Sequence, residues 1–387
     1  MNTVLFDLSV CQPIGSSKFH GGGVYGYIVF QHLVDKYPEN IGVYYNHQRF
    51  LPDDILCLLG ENGVKVYDAS KVSLLEAYQD GGYKKIYSPL YNKRYSELIQ
   101  ANIPLMITIH GLRSLEMNRD KYEWLYAKGV TAMIKAGIKQ TCIYKRLLKK
   151  YHTEYGNLFN YKHATIITVS EHSKASIKFF YPTINIDNIK VRYSPNTSVQ
   201  KTGNVQFCCN RVYTEKFYLI ISANRWLKNA YRAMKAFDNI IESNKEFKAR
   251  IFVVGIDATH RIAKKIKHKE HYEFFPYLKR EELESLFKYA YALVYPSLNE
   301  GFGYPPIEAM RYGTPVITSG IASIPEICEN AVLYFNPYSI DEIANRIIQM
   351  EHPQVRERFQ KASLIQYEKI RYQQNEDLIL LINDIIG

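Results

Sequence analysis

Short apolar runs alternate with longer stretches of helical periodicity along the whole chain. Apolar runs bounded by turn residues read as strands buried on both faces, and apolar positions at three- and four-residue spacing read as helices packed over them. The first half offers strands at Val4–Leu8, Gly42–Tyr45, Val64–Tyr67, Lys85–Tyr87, Leu105–Ile109, Thr165–Val169 and Ile189–Val191. The pattern then restarts, with strands at Tyr218–Ser222, Ile251–Val254, Glu273–Phe275, Ala292–Tyr295, Val316–Thr318 and Val332–Phe335. Helical patterns lie between, as in Tyr231–Ser243 and Glu281–Tyr289, and continue without a strand signal from Gln354 to Ile386. This alternation predicts doubly wound α/β domains. An irregular polar segment, Ser194–Arg211, separates the halves and is the candidate linker. The expected domains are 1–195, 196–365 and a C-terminal helix over 366–387. Ligands of open α/β sheets bind beyond the strand C-termini, so functional side chains are expected just after strands.

The run Tyr291–Tyr295 leads into Asn299-Glu300-Gly301-Phe302-Gly303-Tyr304-Pro305-Pro306-Ile307-Glu308-Ala309-Met310. Pro305 and Pro306 suit a first helical turn, and Gly313 with Pro315 reads as the stop. The order strand, glycine loop, helix N-terminus presents backbone N–H groups to an anion. Glu300 and Glu308 lie eight positions apart, Glu300 in the loop and Glu308 in the first helical turn. Paired carboxylates flank the scissile bond in most glycosidases, but these two project from one edge of one domain. Carboxylates beside an anion site fit a ligand with phosphates and hydroxyls, such as a nucleotide sugar.

Arg225 and Lys228 follow the strand Tyr218–Ser222 and open the next helix. Cations at a helix N-terminus oppose its dipole unless an anion sits with them, and a diphosphate suits both the guanidinium fork and the ammonium. Two solvated cations are the other reading. His110 ends the strand Leu105–Ile109, where it can hydrogen-bond a sugar hydroxyl or be structural. Gly21, Gly23 and Gly26 match G-x-G-x-x-G, but about a dozen residues part them from the first strand, where a dinucleotide turn is tight. A glycine loop lining the ligand cleft is the more economical reading.

Composition narrows the class. The chain has 387 residues, 47% hydrophobic and 22% charged, which is globular. No apolar run approaches the ~20 residues of a membrane span, and the start lacks the pattern of a signal peptide, so a cytoplasmic location is expected. The six cysteines form no C-x-x-C pair, so neither a zinc site nor a disulfide framework is expected. The formal charge is +11. Part of the excess falls on Lys135, Lys139, Lys145, Arg146, Lys149 and Lys150, interleaved with Met133, Ile134, Ile138, Ile143, Leu147 and Leu148. A basic amphipathic helix at an anionic membrane surface and a solvated helix face both fit. A second basic run, Arg261 to Lys269, reads as a solvated helix. Nucleic acid is not expected as a partner, because the basic clusters lack the aromatic interleaving of a stacking platform.

The string from Tyr295 to Met310, continued by Gly313-Thr314-Pro315-Val316-Ile317 and Ser323-Ile324-Pro325-Glu326-Ile327, resembles the retaining GT-B glycosyltransferases of family four, the group 1 glycosyl transferases. Further resemblance lies in Thr168 to Lys174, Ser222 to Asn229 and Glu281-Leu283-Leu286. The resemblance implies two Rossmann-like domains facing across a cleft, closing over the donor, with the C-terminal helix crossing back to the first. It implies a retaining, hexosyltransferase-type transfer from a UDP- or GDP-linked sugar to a glycan or lipid-linked acceptor in surface polysaccharide biosynthesis. No cofactor or metal is implied, and the location becomes cytoplasmic with a peripheral place at the inner membrane face. A nucleotide-sugar epimerase or hydrolase on the same scaffold is the alternative. By resemblance, Glu308 binds the ribose and Glu300 the donor sugar. Arg225 and Lys228 neutralise the diphosphate, Gly301, Phe302, Gly303 and Tyr304 face the donor, Gly22 and Gly23 line the phosphate side, and His110 stands beside the sugar. The chain departs from the family's pattern in the short Arg225–Lys228 interval, in Gly111 after His110 and in Ser194-Pro195-Asn196-Thr197.

Overall fold

A computed structural model describes residues 3–13, 21–117, 119–141, 144–197 and 215–387. Most of the candidate linker Ser194–Arg211, together with Ile143, lies outside the described residues. The chain divides into two compact units, one of Met1–Leu115, Lys149–Val199 and Tyr372–Gly387, the other of Glu116–Leu148 and Gln200–Arg371.

The first unit holds seven strands: β1 (Val4–Asp7), β2 (Ile41–Tyr45), β3 (Lys65–Asp68), β4 (Lys85–Ser88), β5 (Leu105–Ile109), β6 (Ala164–Thr168) and β7 (Ile189–Val191). They pair in the order β3-β2-β1-β4-β5-β6-β7, every pair parallel. In β1 and β5 every residue is buried, as a parallel sheet covered on both faces requires. The second unit repeats the design with β8 (Phe217–Ile220), β9 (Arg250–Val254), β10 (Tyr272–Phe275), β11 (Ala292–Tyr295), β12 (Val316–Ser319) and β13 (Leu333–Phe335), ordered β10-β9-β8-β11-β12-β13 and again all parallel. Its core joins Tyr218, Ile251, Val253 and Val294 of the strands to Ala233, Phe237 and Ile240 of the helix Ala230–Ser243.

Each sheet has a switch point, where chain order reverses. It falls between β1 and β4 in the first sheet and between β8 and β11 in the second. Open α/β sheets bind ligands beyond the strand C-termini at such a point.

The stretch Gln354–Ile386, expected to be helical, forms one helix, Pro353–Ile386. From Tyr372 onward it clusters with the first unit. There Asp384 accepts from Lys190 Nζ (2.6 Å) and Arg192 Nη2 (2.8 Å), and Gln374 Nε2 donates to the Ser194 carbonyl (2.6 Å). Residues 116–148 lie in sequence between β5 and β6 yet cluster with the second unit. A buried ion pair holds them: both terminal nitrogens of Arg232 donate to Asp120, at 2.7 and 3.2 Å. The Arg232 guanidinium also lies 4.6 Å from the Tyr122 ring and 5.4 Å from the Tyr338 ring.

Candidate active site

The second sheet's switch point carries most of the residues singled out by sequence. After β8 the chain does not enter a helix at Arg225. Arg225 caps a 3-10 turn, Trp226–Lys228, and the helix begins only at Ala230, after Asn229 in a left-handed conformation (φ 57°). The cause is Asn229 itself. Its side-chain amide donates to the carbonyls of Pro296 (3.0 Å) and Pro337 (2.8 Å), which ties this turn to the loops after β11 and β13.

Within the turn the two cations part company. Arg225 is exposed, and no ion pair among the described residues engages it. Lys228 is buried and forms an ion pair with Glu300, the two side chains each 8% exposed. Its ammonium also donates to Tyr295 Oη at 2.5 Å. Tyr295 Oη and Ser297 Oγ each donate to Glu300 Oε1, at 2.5 Å. Burial alone would raise the Glu300 carboxyl, but the Lys228 charge and these hydrogen bonds outweigh it and hold the pKa at about 2. Burial and the neighbouring Glu300 charge push the Tyr295 phenol well above its ordinary value, so it stays a neutral donor. Lys228 is therefore committed to Glu300. A lone buried ammonium or carboxylate would be costly, whereas the pair with its hydrogen bonds is compensated.

The loop beyond Glu300 is fixed from beneath. Ser323 Oγ donates to the carbonyls of Glu300 (3.1 Å) and Phe302 (3.0 Å), and Ser319 Oγ to that of Ser297 (2.6 Å). Asn299 donates its amide to Glu116, from the stretch 116–148. Gly303 caps the next helix at φ 103°, a conformation suited to glycine, and the proline-led helix Tyr304–Met310 follows. That helix has seven residues, and Glu308 is the fifth rather than a member of the first turn. Glu308 accepts from Arg280 Nη1 at 2.7 Å, and Arg280 also donates to Glu284.

The remaining candidates belong to the first unit. His110 follows β5 as expected. Its Nε2 lies 2.9 Å from the Pro89 carbonyl, so Nε2 carries a proton and donates to it. Its ring meets Tyr25 edge-on at 4.6 Å. Gly111 has φ 123°, a turn that needs glycine at this position. Gly22 and Gly23 do not form a loop: Gly21–Lys36 is a helix, so the cluster is its first turn. A Cβ on Gly22 would fall 2.5 Å from Leu90, and one on Gly26 2.2 Å from Cys11 Sγ. Gly22 and Gly26 thus let the helix pack closely.

Tyr295, Ser297, Asn229, Arg280 and Glu116 are site residues that sequence reasoning missed. Tyr295 and Ser297 lie inside the string Tyr295 to Met310, as the end of a strand and the turn after it. Glu116, in the other half of the sequence, carries no local signal. No group of three or more His, Cys, Asp or Glu able to hold a metal occurs among the described residues.

Two parallel, doubly wound units joined by a shared C-terminal helix define a GT-B architecture. The fold is like that of the sucrose-phosphate synthase of Thermosynechococcus elongatus (TM-score 0.67, 15% identity, 100% of this chain and 98% of that one). It is also like that of Anabaena Alr3699/HepE, solved with UDP-glucose (TM-score 0.63, 15% identity, 97% and 99%). Residues 210–366, within the second unit, match the family described as Glycosyl transferases group 1. The O-antigen chain mannosyltransferase RfbU of Salmonella typhimurium (strain LT2) is 33% identical over 180 residues. Those residues are 44% of this chain and 46% of RfbU, so the match spans about half the length of that relative.

Proposed function

We infer that this protein is a retaining glycosyltransferase that moves a hexose from a nucleotide sugar to a glycan or lipid-linked acceptor in surface polysaccharide synthesis. The observation that carries the reading is the cluster Lys228–Glu300–Tyr295–Ser297 with exposed Arg225 at the switch point of a group 1 glycosyl transferase domain. Mannose is the first sugar to test, because the matched Salmonella relative is a mannosyltransferase. The base is uridine or guanosine, and UDP-glucose is the ligand of the similar Anabaena structure.

In this reading Arg225 meets the diphosphate and takes up charge as the sugar C1–O bond breaks. The acceptor hydroxyl attacks C1 from the face that the phosphate leaves, and its proton passes to the departing phosphate oxygen, so configuration is retained without an enzymic nucleophile. Catalysis is electrostatic support plus positioning. Glu300, held ionised by Lys228, offers its carboxylate to sugar hydroxyls. Glu308 serves the ribose, sharing its charge with Arg280. The backbone of Gly301 to Tyr304 faces the donor, and His110, Gly22 and Gly23 keep the donor-side roles that the resemblance implies. Cations of the protein replace a divalent metal, and a lipid-linked acceptor goes with work at the inner membrane face.

The test is turnover of GDP-mannose and UDP-hexoses with and without a glycan acceptor, in the presence of EDTA. Acceptor-dependent transfer that survives chelation and yields the donor's anomer supports the reading. Donor consumption indifferent to acceptor supports the epimerase or hydrolase instead, and full dependence on Mg²⁺ refutes the metal-free account.

A further inference from the structure

Two basic runs that lie far apart in sequence meet on the second unit. The segment 116–148 places a 3-10 turn, Glu123–Tyr126, and a helix, Val130–Ile138, beside the short helix Arg261–Lys264. Arg261 Nη1 donates to the carbonyl of Ala127 at 2.8 Å, and the Lys265 ammonium lies 5.6 Å from the Trp124 ring. One face thereby combines apolar and cationic groups. Val130, Ile134 and Ile138 recur every four residues along one side of their helix and are 71%, 57% and 43% exposed. Trp124 beside them is 40% exposed. Lys121, Lys128, Lys135, Lys264 and Lys265 are all exposed. Charge of the other sign is sparse there: the sole acid from Lys121 to Lys150 is Glu123, buried and paired with Lys139, none lies between His260 and Lys269, and Asp257 beside His260 is an exposed acid next to this face. Solvated helix faces do not carry three large exposed aliphatics in register, so the solvated-face reading accounts for the lysines alone.

We propose that this face docks on an anionic lipid bilayer, with Trp124, Val130, Ile134 and Ile138 entering the headgroup boundary and the surrounding lysines resting on lipid phosphates. The chemistry fits from both sides. An amphipathic helix buries its apolar stripe at the interface, tryptophan favours that depth, and each lysine near an anionic surface adds about 1 kcal/mol, or roughly fivefold in affinity. No residue of the proposed transfer site takes part, so lipid docking and glycosyl transfer can fail separately.

The experiment is co-sedimentation of the full chain with phosphatidylglycerol/phosphatidylcholine vesicles and with phosphatidylcholine vesicles alone. The wild type should bind the anionic vesicles, weaken as salt rises, and leave the neutral ones. Ile134→Asp should cost on the order of tenfold in binding, and Lys128→Gln with Lys135→Gln about twenty-fivefold, two fivefold steps. Both sites are exposed, so circular dichroism and turnover of donor with a soluble acceptor should stay at wild-type levels. Equal binding to both vesicle types, or wild-type binding by Ile134→Asp, would overturn the proposal. So would a change in oligomeric state in Ile134→Asp with vesicle binding intact, since the face would then join copies of the chain.

Discussion

Lys228 and Glu300 hold each other in the floor of the second unit, and this decides how each will respond to substitution. Glu300→Gln leaves a buried ammonium uncompensated and should lower stability by about 3–5 kcal/mol, read from urea midpoints. Lys228→Met with Glu300→Leu replaces the pair by apolar groups of similar size and should recover much of that loss while leaving transfer abolished. Arg225→Ala differs in kind. Its side chain is exposed, so stability should hold while kcat falls by about 10²–10³-fold, the usual cost of one transition-state donor. The pH dependence follows from the sign of the Glu300 shift. The carboxyl titrates near 4.5 when unfolded and near 2 when folded. Its contribution is therefore complete above pH 4.5 and drains away as pH falls toward 2. A plot of Tm against pH should be steeper over that window for wild type than for Glu300→Gln.

Sequence reasoning read these residues as a set but not as partners. It placed Arg225, Lys228 and Glu300 at one site because loops after strands converge in α/β folds. By sequence both cations face a ligand, and only the fold shows Lys228 already neutralised by Glu300. The missing information was long-range: Lys228 and Glu300 are seventy-two positions apart, and nothing local says which cation turns inward.

Among elements, the strands were the most legible part. β1 to β13 each lie within a residue or two of the expected runs, the central ones because strands buried on both faces must be continuously apolar. The glycine cluster misled, since Gly22 and Gly26 serve close helix packing and not a loop. The segment 116–148 was the least legible. Its attachment depends on Asp120 meeting Arg232 and Glu116 meeting Asn299, pairings that no periodicity encodes. Asp120→Ala should strand Arg232 between Tyr122 and Tyr338, destabilise the second unit by about 3–5 kcal/mol, and expose this segment first in hydrogen exchange.

For the whole molecule, the net charge of +11 is not spread evenly. Buried pairs such as Lys228–Glu300 and Arg232–Asp120 are neutral and add nothing to it, while the lysines around Ile134 face outward. The two units are built alike, and each has a charge pair at its switch point, Asp7–Arg94 in the first and Lys228–Glu300 in the second; the second lies within the stretch matched to the glycosyl transferases. The central claim is that this cluster serves sugar transfer from a nucleotide. The most direct measurement incubates the protein with GDP-mannose or a UDP-hexose, a glycan acceptor and EDTA, and follows product by mass and anomeric proton signals. The account predicts an acceptor extended by one hexose with the donor's anomeric configuration, at a rate that Arg225→Ala lowers at least a hundredfold (~10²). An inverted product, or wild-type rates in Arg225→Ala, would contradict it.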